Sequence, residues 1–216
     1  MKTSLGTSEL SGYVRGQINN FFPDNKMIQG SELEKYVSAS LERVEKCFSK
    51  IKNKYFRSES QVLFNHLNGD QYAIFLYFLG NTVYRNDGDL TLASKIYLLN
   101  KAFHGLDAFY EVGLPDIFLL VHPLGTVLGR AKYSDYLVVY QRCGVGSNKN
   151  IYPSLGEYVT LHPGASVLGT CKVGNNCSMA AGSLLLDKDL GHNKLYIGNP
   201  KAFIIKDKPG KSHFWE

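Results

Sequence analysis

From position 155 to position 185 an apolar residue recurs at every sixth place: Leu155, Leu161, Val167, Val173, Met179 and Leu185. That period suits neither an amphipathic helix nor the two-residue alternation of a half-buried strand. It suits a coil with three flat faces, each made of one short strand and one corner, with one apolar side chain per face pointing inward. Such coils are stable only when stacked, because each buries its apolar residues against the next. Val121, Val127, Tyr133, Val139, Val145 and Ile151 repeat at the same interval and read as an earlier stretch of the same inward register. Between Ile151 and Leu155 the register slips by four, beside the polar stretch Gly146-Ser147-Asn148-Lys149-Asn150, which predicts a bulge from the prism.

Upstream the pattern is helical. Leu33, Tyr36, Val37, Leu41, Val44 and Phe48 follow helical spacing, and Ser31, three residues before Glu34, reads as a capping box. Further helices are expected over 58–65, 71–83 and 89–105, with Asn68-Gly69-Asp70 as a turn and Gly105 as the terminator of the last. The aromatic stripe Tyr72, Phe75, Tyr77 and Phe78 reads as packing between helices. The expected division is a helical, oligomerising region over 1–105, a repeat region over 106–204 closing on Gly198-Asn199-Pro200, and a tail over 205–216. The tail carries His213 and the last of the lysines Lys201, Lys206, Lys208 and Lys211, and reads as mobile.

At 216 residues and 44% hydrophobic, the chain can fill the core of one or two domains. Its net charge of +5 tolerates an anionic ligand, and nothing beyond that charge points to nucleic acid. Cys47, Cys143, Cys171 and Cys177 lack compact metal-ligand spacing and read as buried thiols, so no metal is expected. There is no signal-peptide pattern and no apolar run long enough to span a bilayer, which gives the expectation of a cytoplasmic protein without stable membrane insertion.

A general base needs a pKa near neutrality and a second group to orient it. His122 follows an inward position and sits near a corner, where its ring can face outward. Asp107 lies fifteen residues earlier, close to one coil of roughly 18 residues. That would set a carboxylate against one ring nitrogen and leave the other to take a proton. His162 follows Leu161 in the same local pattern and is the rival base. His66 reads as local packing or surface, and His104 and His192 as surface or subunit-contact residues. Cys143 has no neighbouring histidine to activate it as a nucleophile.

The stretch His122-Pro123-Leu124-Gly125 followed by Val127-Leu128-Gly129, the sixfold repeat and the Gly198-Asn199-Pro200 turn resemble the hexapeptide-repeat acyltransferases, most closely the serine O-acetyltransferase branch. The resemblance covers about Asp107 to Ile204. It implies a left-handed parallel β-helix prism preceded by an α-helical N-terminal domain. It also implies a homotrimer, with possible pairing into a dimer of trimers, and acetyl-CoA held between subunits. In residues it implies His122 as the base oriented by Asp107, Pro163 and Gly164 near the thiol end of the cofactor, and the Ala181 backbone along it. Lys201 stands where the phosphates would be met.

Three substrate-binding positions depart from that branch. The aspartate that precedes the catalytic histidine is Val121 here. The arginine that receives the serine carboxylate is Ile151, and the histidine after it is Tyr152. An aliphatic side chain cannot pair with an anion, and burying a carboxylate without a partner is costly. The expectation is therefore acetyl-CoA-dependent O-acetylation of a sugar hydroxyl in a surface-polysaccharide precursor. Serine O-acetylation and N-acetylation of an amino sugar are the alternatives.

Overall fold

Two kinds of backbone meet at Gly105. Its φ of 59° ends a helix in the left-handed conformation. A Cβ there would lie 2.7 Å from Cδ1 of Leu124, so the close approach of the next turn also requires glycine. The computed structural model describes residues 1–29, 31–210 and 212–215, which leaves Lys211 outside.

The helical half begins with a short strand, β1 (Lys2–Thr3), and α1 (Thr7–Phe21), which buries Leu10, Val14 and Ile18 at helical spacing. Helix α2 (Glu34–Phe48) buries the periodic set from Tyr36 to Phe48. The expected capping box does not form: α2 has no side-chain cap, and Glu34 N–H meets the Ser31 carbonyl instead at 2.9 Å. Residues 58–65, expected as helix, form part of a hairpin, β2 (Arg57–Ser58) and β3 (Gln61–Phe64), with β1 on the other edge of β3. So short an apolar run carries no decisive period, and Phe64 settles into the core against Phe75 at 5.3 Å.

Helix α3 (Gly69–Asp87) is capped by Asn68, and α4 (Leu90–His104) by Asp89, whose carboxylate accepts from Thr91 and Leu92 N–H. Residues 71–83 of α3 are buried throughout, so the aromatic stripe is core. Tyr77 and Phe78 set their rings against Phe118 of the first long solenoid strand at 5.7 and 5.4 Å, joining the two halves.

The solenoid opens with β4 (Leu106–Asp107), β5 (Phe118–Val121) and β6 (Thr126–Leu128). It continues with β7 (Leu137–Tyr140), β8 (Gly144–Gly146), β9 (Ser154–Leu155), β10 (Thr160–Leu161) and β11 (Ser166–Leu168). It ends with β12 (Lys172–Val173), β13 (Ser178–Met179), β14 (Leu184–Leu186), β15 (Lys194–Asn199) and β16 (Ala202–Asp207). The parallel ladders define three faces. Face one carries β5, β7, β10, β13 and β15, face two carries β4, β6, β8, β11 and β14, and face three carries β9 and β12. This is the β-solenoid of about five turns that the repeat requires.

The register follows the sequence closely where the repeat is regular. Thr160 pairs with Ser178, an offset of 18, whereas Val138 pairs with Thr160, an offset of 22. The extra four residues are the predicted bulge, closed by reciprocal backbone bonds between Asn148 and Ile151. All six residues from Leu155 to Leu185 are buried. The earlier run fares differently. Val139 and Val145 point inward, but Val127 and Ile151 are each 49% exposed: in the first coil Thr126 and Leu128 take the inward places, and Ile151 sits at the end of the bulge. The four cysteines are buried free thiols, and burial pushes Cys47 up to about 12. No group of acidic, histidine or cysteine side chains among the described residues could hold a metal. No helix among them is long and apolar enough to cross a membrane.

The turn at Gly198-Asn199-Pro200 does not end the sheet. The chain returns as β16, antiparallel to β15, and runs through Asp207, past the expected boundary at 204. The tail, expected to be mobile, crosses face one and docks on the helical half. Lys52 N–H donates to the Phe214 carbonyl at 2.6 Å, and Trp215 bridges Ile51. Trp215 is only 7% exposed and sets its ring on Tyr136 at 5.5 Å, which stacks in turn on Tyr158 at 4.2 Å. An indole has too much apolar area to leave in water when a face of aromatics lies within reach.

Candidate active site

Between faces one and two each coil makes a turn, and the turns stack through their backbones. Gly125 N–H donates to the Gly105 carbonyl, Arg142 N–H to Leu124, Gly164 N–H to Gln141, and Gly182 N–H to Pro163. One edge of the prism therefore carries His122, Pro163, Gly164 and Ala181 in line. Gly198 N–H bonds the Ser183 hydroxyl at 3.1 Å, which holds the hairpin bearing Lys201 against the same edge. Ala181 is exposed, and its N–H has no acceptor among the described residues. Small residues and bare backbone leave this edge open to an extended chain.

His122 takes the left-handed conformation, with φ of 50°, which turns its ring out of the prism. The side chain is 79% exposed. The structure does not bring Asp107 to it. On face two Asp107 pairs with Val127 at an offset of 20 residues, so a residue fifteen before His122 falls short of the coil above it. The Asp107 carboxylate is taken instead by the last turns of α4, accepting from Lys101 at 2.6 Å and from the Tyr97 hydroxyl at 2.7 Å. Burial pushes this carboxyl up, but those two bonds outweigh it and hold it below the usual range.

The carboxylate at His122 is Asp70, in the first turn of α3. Its Oδ1 accepts the His122 backbone N–H at 3.0 Å and its Oδ2 lies 3.8 Å from the ring Nδ1. Burial raises the Asp70 pKa, opposed by that backbone bond and by the imidazole. No spacing in the sequence links positions 70 and 122; the docking of α3 on β5 does.

Val121 ends β5, half-buried beside His122. Ile151 and Tyr152 lie elsewhere, on the edge between faces two and three, where the chain leaves β8 for β9. Both are exposed and line an open groove of about 510 Å³ with Arg130, Lys132 and Lys172. Of the other histidines, His162 stacks on Tyr140 at 5.5 Å, and burial together with Lys208 lowers its pKa. His104 is held by Asn100 at 2.8 Å, and burial lowers it. His66 bonds the Ser4 hydroxyl. His192 accepts the Asn175 N–H. None of these four stands free on an open edge as His122 does.

No protein-family model matches the chain. A putative serine acetyltransferase of Schizosaccharomyces pombe is 30% identical over 134 residues, 60% of this chain and 49% of that protein. The serine acetyltransferase of Synechococcus elongatus is 29% identical over 114 residues, 50% of this chain and 46% of that protein. Among solved structures, serine acetyltransferase from Brucella abortus superposes with a TM-score of 0.73 at 19% identity, covering 95% of this chain and 85% of that one. The same enzyme in complex with coenzyme A superposes at 0.70 with 16% identity, covering 97% and 85%. The chain is thus similar in sequence to serine acetyltransferases over 50–60% of its length and shares their β-solenoid fold. It spans about half the length of the two curated relatives named here.

This likeness overturns the expected sugar acceptor and the link to polysaccharide synthesis, since relatives in sequence and in fold alike are serine acetyltransferases. The sugar reading rested on cationic and polar groups missing from positions 121, 151 and 152. It did not count the arginine and two lysines that the fold gathers around position 151.

Proposed function

We propose that the protein is an acetyl-CoA-dependent serine O-acetyltransferase. The observation that carries the reading is the stacked edge bearing the exposed His122 ring, in line with Pro163, Gly164 and Ala181. His122 takes the proton of the serine hydroxyl while its oxygen attacks the thioester carbonyl of acetyl-CoA. The new C–O bond forms, the C–S bond breaks, and the imidazolium returns the proton to the CoA thiolate. The edge supplies a path for pantetheine, the free Ala181 N–H supplies a donor to it, and Lys201 complements the phosphates. Asp70 keeps the ring turned toward the acceptor, taking the part first expected of Asp107.

His122 and Tyr152 occupy different edges of one prism, with the strands of face two between them. A second copy packed edge to edge brings them together, which supports a homotrimer with three shared sites, in the cytoplasm where acetyl-CoA is made available. Pairing of trimers through the helices is the looser extension. Light scattering is expected to give three times the chain mass, and a fully active monomer would remove the shared-site arrangement. The activity itself is tested by incubating the protein with acetyl-CoA and L-serine, reading free thiol and O-acetylserine mass. Thiol release that depends on serine is expected; CoA binding without transfer to serine would sink the reading.

A further inference from the structure

Face three carries a column of side chains that the reaction as described does not use. Lys132 bridges Ser154 in the ladder, and Ser154 pairs with Lys172 on its other side. Residues paired across parallel strands project to the same side. Leu155 and Val173 point inward, so Lys132, Ser154 and Lys172 all point out. Strands stand about 4.8 Å apart, which sets the two lysine Cα atoms roughly 10 Å apart with a hydroxyl midway. Ammonium groups on flexible stems can close over one oxyanion at that span.

Neither lysine has a side-chain partner among the described residues, and no acidic side chain lines the groove. Asp189, one coil on, is occupied by the Lys172 backbone N–H at 2.8 Å. Arg130, at the rim, is tethered to Glu111 at 3.6 Å. Two unpaired cations flanking a hydroxyl, walled on one side by the apolar Ile151 and the Tyr152 ring, form a cradle for an anion on a small organic body.

We infer that the Lys132–Ser154–Lys172 column receives the carboxylate of the acceptor; this rests on the amino-acid acyl-transfer reading above. The column supplies, in the same groove, the cations that Ile151 cannot. It sets specificity and takes no part in proton transfer.

The test compares L-serine with ethanolamine, which keeps the hydroxyl and the amine but lacks the carboxylate. The parent protein and the double variant Lys132→Ala/Lys172→Ala are assayed with both, alongside calorimetric titration of CoA. Loss of charge-assisted bonds to a carboxylate is expected to lower kcat/KM for serine about 10–100-fold, mostly through KM. The preference for serine over ethanolamine should fall by the same factor, with CoA affinity kept within about twofold. Ser154→Ala should give a smaller loss of the same kind, and Lys172→Arg should keep most of the preference that Lys172→Ala loses. A preference that survives the double variant overturns the assignment. Weaker CoA binding with both acceptors equally slowed would give the column to the phosphates of CoA instead. A parent protein that acetylates neither acceptor overturns the function itself, and this assignment with it.

Discussion

His122→Ala is expected to lower kcat for acetyl transfer about 10²–10⁴-fold, the usual worth of a positioned base. CoA affinity should stay within a few-fold of the parent. The ring contributes nothing to the core, being 79% exposed, so the variant should fold. Asp70→Asn should cost about 10–100-fold in kcat with little change in KM, because it misdirects the ring without removing it. Asp107→Asn removes a half-exposed ion pair with Lys101, which is worth at most about 1 kcal/mol, and should leave kcat within a few-fold. The two aspartates are therefore separable by stopped assays on three purified variants. If Asp107→Asn proves the slower enzyme, α4 releases that carboxylate during turnover and Asp70 serves only to hold the turn. Activity near the parent level in His122→Ala would remove the histidine from the mechanism.

The regular part of the solenoid was legible because a buried residue every sixth place has one simple structural meaning, and the ladder from Leu155 to Leu185 obeys it. The first coil was not. Val127 keeps the spacing but faces out, since it pairs with Gly144 and the inward place beside Val145 falls to Leu128. The hairpin at 57–64 was lost for a different reason: its three apolar residues, Val62, Leu63 and Phe64, fit a helix turn and a strand equally well. At the site, position along one edge followed from the repeat. The partner of His122 did not, because Asp70 reaches it from a helix packed against the prism, and a contact between two elements leaves no spacing to read. The lysine column was readable in part. Ser154 and Lys172 stand one 18-residue coil apart, and Lys132 joins them once the four-residue bulge is counted. The acceptor went wrong at that same point, since residues missing at three aligned positions were weighed without those the fold supplies beside them.

Trp215→Ala is expected to destabilise the protein by about 3–5 kcal/mol, the range for truncating a large buried aromatic. For a chain of this size that is roughly 6–20 °C in Tm, read by calorimetry. The side chain does more than fill space. It closes a stack with Tyr136 and Tyr158 on face one, while its backbone bridges Ile51 after α2. One residue thus ties the second and third coils to the helical half. That coupling makes a further distinction available. A residue that only filled a surface notch would lower Tm without altering exchange elsewhere. A strap should also free the Lys52 amide, which donates to the Phe214 carbonyl, to exchange with solvent well before global unfolding. Trp215→Phe keeps an aromatic against Tyr136 and should recover more than half of the lost stability. A Tm within about 2 °C of the parent for Trp215→Ala, with Lys52 still protected, would show that the helices and the prism hold together without the tail. The Tyr77 and Phe78 contacts to Phe118 would then carry the junction alone.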